Sequence, residues 1–92
     1  MRLDKFLKLS RLIKRRTVAQ EMIEIGAVRL NGRECKPAAE VRLGDRVEIA
    51  YPSRLLSLEV RCADEAAIKR LPSNEAWALI EEKRVNPAEK PW

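Results

Sequence analysis

The chain reads as an α+β protein in which two N-terminal helices pack on a small antiparallel sheet, with a short C-terminal extension. Three observations carry that reading. Apolar residues in the first 25 positions recur at helical spacing beside a basic stripe. Asn31-Gly32 marks a tight hairpin. The residues before this turn, and again those at 46–49, alternate between apolar and polar.

Leu3, Phe6, Leu7 and Leu9 set the apolar face of the first helix, and Arg2, Lys5 and Lys8 occupy its other stripe. Ser10, Arg11, Leu12 and Ile13 form a connection with two apolar anchors, and Lys14-Arg15-Arg16-Thr17 opens the second helix. Its apolar positions are Val18, Ala19, Met22, Ile23 and Ile25. Gly26 stops it, because glycine adopts the left-handed conformation that closes a helix. Two helices this short are not stable alone and need a surface to bury against. Val28-Arg29-Leu30 supplies a first strand, and Arg33-Glu34-Cys35-Lys36, limited by Pro37, is the return strand. Val41 and Leu43 lead to Gly44-Asp45 and a third strand, Arg46-Val47-Glu48-Ile49. A helical hairpin with a disordered remainder would leave these turns and alternating strands unexplained.

Tyr51-Pro52-Ser53 reads as a break, after which Leu55, Leu56, Leu58 and Val60 suggest another strand that extends the sheet. Residues 63–72 fit either a short helix or a packed loop. Ser73 is placed to cap a final helix with Trp77 and Ile80 on one side, and Pro87 and Pro91 suggest a frayed tail. The organisation expected is a domain over residues 1–50, a strand and short helical extension over 51–85, and a tail over 86–92.

The charge is all at one end. The first sixteen residues hold seven basic side chains against one acid, Asp4, a net of +6, while the rest of the chain holds 12 basic and 13 acidic residues. Several cations on one amphipathic element fit a polyanion, since neutralising a phosphate backbone needs clustered Lys or Arg. The same composition excludes much else. Histidine, the usual proton-transfer group and zinc ligand, is absent, and Cys35 and Cys62 lie too far apart for a short metal-binding pair. Both thiols read as reduced and core-lying. No catalytic residue, cofactor or metal is expected, no apolar secretory start follows Met1, and no segment is long enough to span a bilayer.

The motifs Arg2-Leu3-Asp4-Lys5-Phe6-Leu7, Lys14-Arg15-Arg16-Thr17-Val18-Ala19, Ile23, Gly26, Val28, Leu30-Asn31-Gly32, Val41, Leu43-Gly44-Asp45 and Val47 agree in order and spacing with one family. They resemble the RNA-binding domain named after small-subunit ribosomal protein S-four, over about residues 1–50. Among its stand-alone members, the start RLDKFLKLSRLIKRRTVA is similar to the RqcP family of bacterial ribosome-associated quality control. That resemblance implies a non-enzymatic factor for obstructed large ribosomal subunits. It would contact large-subunit rRNA and peptidyl-tRNA and work with an RqcH-like tailing factor that adds C-terminal alanine without a template. A related heat-shock-induced recycling factor usually carries a longer basic C-terminal extension, which this chain lacks.

The resemblance also marks Arg2 and Arg16 as phosphate clamps, since a guanidinium can make two parallel bonds to phosphate oxygens. Lys5, Lys8, Arg11, Lys14 and Arg15 would widen the positive face. Thr17 and Gln20 would add hydrogen bonds near the start of the second helix, and Arg29 and Lys36 a second edge beside the hairpin. Asp4 is expected to orient its basic neighbours, not to act as a catalytic acid. Asn31 and Gly32 read as structural turn residues. The expected protein is cytoplasmic, ribosome-associated and monomeric off the ribosome, with no membrane partner. A general rRNA- or tRNA-binding accessory protein, a structural ribosomal component and membrane binding by the first helix are the competing functions.

Overall fold

Leu3, Phe6 and Leu7 are fully buried, and they fix the first helix, α1 (Leu3–Leu9), on the sheet. The computed structural model describes residues 1–86 and Ala88, so the tail expected around Pro87 and Pro91 lies outside the described residues. No side chain caps the start of α1. Its first free N–H groups are satisfied instead by a strap from the loop after the hairpin: Leu3 N–H donates to the Ala39 carbonyl (2.8 Å) and Asp4 N–H to that of Pro37 (3.2 Å). A bridge between Arg2 and Glu40 and the bond from Val41 N–H to the Met1 carbonyl (2.8 Å) continue the strap.

At the other end of α1, Ser10 closes the helix, its Oγ donating to the Leu7 carbonyl (3.2 Å). Arg11 follows in the left-handed region at φ 63°, where glycine is the usual residue. The second helix, α2 (Arg16–Glu24), buries Ala19 and Ile23. Val18 and Ile25, expected on its apolar face, are exposed. Ile25 is 80% exposed because it lies past the last turn, at the C-cap, and turns away from the sheet. Gly26 at φ 79° ends the helix as expected.

The hairpin joins β1 (Val28–Leu30) to β2 (Arg33–Glu34) through Asn31 and Gly32 at φ 52° and 78°, the two positive angles of a type I′ turn. The return strand stops at Glu34, two residues earlier than expected. Beyond it the chain leaves the sheet to deliver the Pro37 and Ala39 carbonyls to α1. Asn31 also ties the turn to the next strand, its Oδ1 accepting from Arg46 N–H (2.9 Å). β3 (Arg46–Tyr51) and β4 (Arg54–Val60) pair along six residues, with Pro52-Ser53 as their turn. A single turn of helix, α3 (Glu65–Ile68), is capped by Asp64, whose Oδ1 accepts from Ala66 and Ala67 N–H, and it buries Ile68.

The final helix expected from Ser73 is not formed. Residues Ser73–Glu75 make one 3-10 turn, and β5 (Trp77–Arg84) is a strand antiparallel to β4. The spacing of Trp77 and Ile80 imitates a helix because β5 contains a bulge: Ser57 pairs with Glu81 but Leu58 with Leu79, so Ile80 is an extra residue that breaks the alternation. The unpaired edge of β4 overrides the local spacing. The sheet is five-stranded, ordered β2-β1-β3-β4-β5, with every neighbouring pair antiparallel. Val28, Val47, Ile49, Leu56, Leu58 and Val60 line the core beneath α1 and α2. β3 runs through Tyr51, so the sheet continues across residue 50 into the extension.

Candidate nucleic-acid interface

The centre of the basic region is a buried acid. Asp4 has no exposed side-chain surface, and it accepts five hydrogen bonds from four residues, two at the start of α1 and two on α2. Arg2 donates through Nε to Oδ1 and through Nη2 to Oδ2, each at 3.2 Å, and the Lys5 backbone N–H donates to Oδ1 at 2.8 Å. From α2, Arg16 Nε (3.2 Å) and Gln20 Nε2 (2.9 Å) both reach Oδ2. The spacing of Arg16 and Gln20 is i,i+4, so both lie on one side of α2 and meet Asp4 together. Burial pushes the Asp4 carboxyl up, but the bonds from Gln20, Arg16, Arg2 and Lys5 N–H outweigh it and hold the group below the ordinary carboxylate value.

This arrangement does two things. It locks α1 to α2, and it sets two guanidiniums side by side, 48% and 39% exposed, with Asp4 beneath them. Each arginine spends Nε on Asp4 and retains further N–H donors for a partner in solvent. Two partly exposed guanidiniums fixed by one carboxylate make a preorganised cradle, a geometry chemically suited to anionic oxygens.

The other expected site residues separate into groups. Lys8, Arg11, Lys14 and Arg15 are exposed and pair with no carboxylate among the described residues. Thr17 is exposed on the first turn of α2. Gln20 is committed to Asp4, so in the free protein it braces the cradle. Lys5 is paired with Glu65 of α3, and Lys69 approaches the same carboxylate at 3.6 Å. Lys5 and Lys69 hold Glu65 below the usual range.

Arg29 stands apart from the helix-borne cations. Its neighbours Val28 and Leu30 pair with Ile49 and Val47 on the core side, so alternation sends Arg29 to the opposite face, between its cross-strand partners Glu34 and Glu48. Lys36 is exposed on the segment after β2.

Of the two readings left open for residues 63–72, the short helix is the one formed, as α3, but its place beside α1 was not foreseen. A cleft of about 230 Å³ lies between the helices, lined by Lys8, Leu9, Arg11, Ile68, Lys69 and Leu71, so α3 adds Lys69 to the cationic rim. Ala66, Ala67 and Ile68 signalled a short helix, but nothing local placed it against α1. Cys35 and Cys62 are free and partly buried against the core. Among the described residues no cluster of His, Cys, Asp and Glu suits a metal, and no helix is long and apolar enough to cross a membrane.

The S4 domain model matches residues 1–47. An RQC P-site tRNA stabilizing factor from Listeria monocytogenes is 41% identical over 86 residues, covering 94% of this chain and 92% of that protein. Heat shock protein 15 of Escherichia coli is 37% identical over 82 residues, covering 89% of this chain and 59% of that protein. The solved trimeric structure of Vibrio cholerae heat shock protein 15 superposes with a TM-score of 0.75 at 24% identity, covering 87% of this chain and 81% of that chain, and shares the fold.

Proposed function

Because the chain belongs to the S4 domain family and, within it, to the RQC P-site tRNA stabilizing factors, we propose that it binds large ribosomal subunits obstructed by peptidyl-tRNA. It contacts rRNA and the tRNA and holds the tRNA in place while an RqcH-like factor adds C-terminal alanine to the stalled chain. The observation that carries this reading is identity along almost the full length of both chains, not over the S4 segment alone.

The geometry supports a binding role without bond chemistry. Arg2 and Arg16 grip phosphate from fixed positions. Lys8, Arg11, Lys14 and Arg15 supply the surrounding field, and Thr17 adds a hydroxyl at the start of α2. Lys5 joins when a phosphate displaces Glu65. Arg29 and Lys36 form a weaker edge on the hairpin side. Holding RNA geometry suits rigid, pre-aimed guanidiniums, because little side-chain freedom is then lost on binding. The protein acts as a monomer before it reaches the subunit, in the cytoplasm.

Fractionation of a lysate containing the tagged full chain on a sucrose gradient tests this function. Enrichment on free large subunits whose tRNA carries alanine-tailed chains is the expected result. Equal loading on all ribosomes, or association only with other RNAs, would replace it with a general accessory role.

A further inference from the structure

Beyond the helices, three side chains stand in one row across the sheet. Tyr51 of β3 is the cross-strand partner of Arg54 of β4, and Arg54 is the partner of Arg84 of β5. Such partners share a face. Ile49 and Leu56, each two residues away along β3 and β4, are core residues, so alternation puts the row on the helix-bearing face, at the margin of the core.

Two contacts join this row to the basic segment. Tyr51 Oη donates to the Leu12 carbonyl at 2.7 Å, and the Arg54 guanidinium stacks on the Tyr51 ring, 4.5 Å from its centre. Leu12 sits between Arg11 and the Lys14-Arg15-Arg16 run. One aromatic ring therefore separates Arg54 from the connection between α1 and α2.

The charges here do not balance. Arg54 and Arg84 face each other directly, an arrangement of like charges that disfavours strand pairing. Glu82 pairs with Arg54 at 3.1 Å, but Arg84 pairs with no carboxylate among the described residues. Among the described residues, one acid for two guanidiniums leaves the place cationic. Around them is a cleft of about 500 Å³ lined by Ser53, Arg54, Glu82, Arg84 and Val85. The bond from Val85 N–H to the Ser53 carbonyl (3.1 Å) pins its end.

We propose that this cleft is a second phosphate-binding site, which takes the RNA backbone and is built entirely outside residues 1–47 that match the S4 domain. Arg84 is the principal ligand and Arg54 the second, aimed by Tyr51. The site extends the cationic face from the helices onto β4 and β5. It rests on the RNA-binding function proposed above.

The test is binding of the full chain to purified bacterial large subunits carrying P-site tRNA, measured across a salt series, with melting midpoints taken in parallel. Arg84→Ala is expected to weaken binding about three- to ten-fold and to reduce the log–log salt slope by about 1, the signature of one lost phosphate contact. Its melting midpoint should stay level or rise, because a like-charge pair is gone. Arg84→Lys should restore much of the slope. If the wild type binds and Arg84→Ala matches it in affinity and slope, the site is overturned while the RNA function stands. If Arg84→Ala and Arg84→Lys lose binding equally and both melt earlier, Arg84 is structural and the site is again overturned. Failure of the wild type to bind would remove the functional reading and this site together.

Discussion

A carboxylate with no exposed surface holds two half-exposed guanidiniums, so Asp4 governs both folding and the aim of Arg2 and Arg16. Asp4→Asn keeps the shape and removes the charge. It should lower unfolding free energy by about 2 kcal/mol, the scale of hydrogen bonds to a charged group, which urea melts would read. The pH dependence has a definite sign. The Asp4 carboxyl is depressed in the folded state, so its contribution is full above the ordinary value of 3.8 and is lost as pH falls through the lower, folded value. The stability gap between wild type and Asp4→Asn should therefore close only at acid pH; a gap that narrows between pH 8 and 6 would contradict this. Arg16→Gln retains a donor for Asp4 but removes the cation, and should cut subunit binding at least about ten-fold with little change in melting. Wild-type binding by this variant would take Arg16 out of the site. The orienting role of Asp4 was legible as one acid among seven cations. Its partners Arg16 and Gln20, and the pairing of Lys5 with Glu65, were not, because each depends on how separate elements pack.

At the next scale, the end of α1 carries a local conflict. Arg11 occupies a left-handed position where glycine would cost less, next to the exposed Lys8 and on the rim of the α3 cleft. Arg11→Gly is expected to stabilise the fold by about 0.5–1 kcal/mol while weakening RNA binding. A variant that is more stable and binds equally well would show that the arginine has no part in the interface. Gly26→Ala should destabilise by about 1–2 kcal/mol from its positive φ alone, since the added Cβ would meet only Glu34 Oε1 at an ordinary 3.7 Å. Turn chemistry made the N-terminal elements readable: Gly26 and Asn31-Gly32 act through backbone angles that no distant contact needs to supply. The segment 73–84 was unreadable for the opposite reason. A bulge at Ile80 disguised a strand, and only the free edge of β4 decides its form. Likewise β2 is short because the next residues leave to cap α1, a demand that comes from outside the hairpin.

Over the whole molecule, the sheet places helices, cations and extension on one continuous frame, and a net charge of +5 concentrated on the N-terminal helices gives the molecule a direction of approach. With about four to six phosphates engaged, the logarithm of the binding constant should fall with log salt at a slope of roughly −4 to −5. A slope near zero would be incompatible with a phosphate-gripping face. Salt dependence does not separate a quality-control factor from a general RNA binder, whereas selectivity does. The most direct measurement is therefore the affinity of the purified chain for large subunits holding P-site peptidyl-tRNA against empty large subunits, side by side at one salt concentration. Binding to the occupied subunits should be at least about ten-fold tighter, corresponding to about 1.4 kcal/mol; equal affinity for both would rule out the quality-control role.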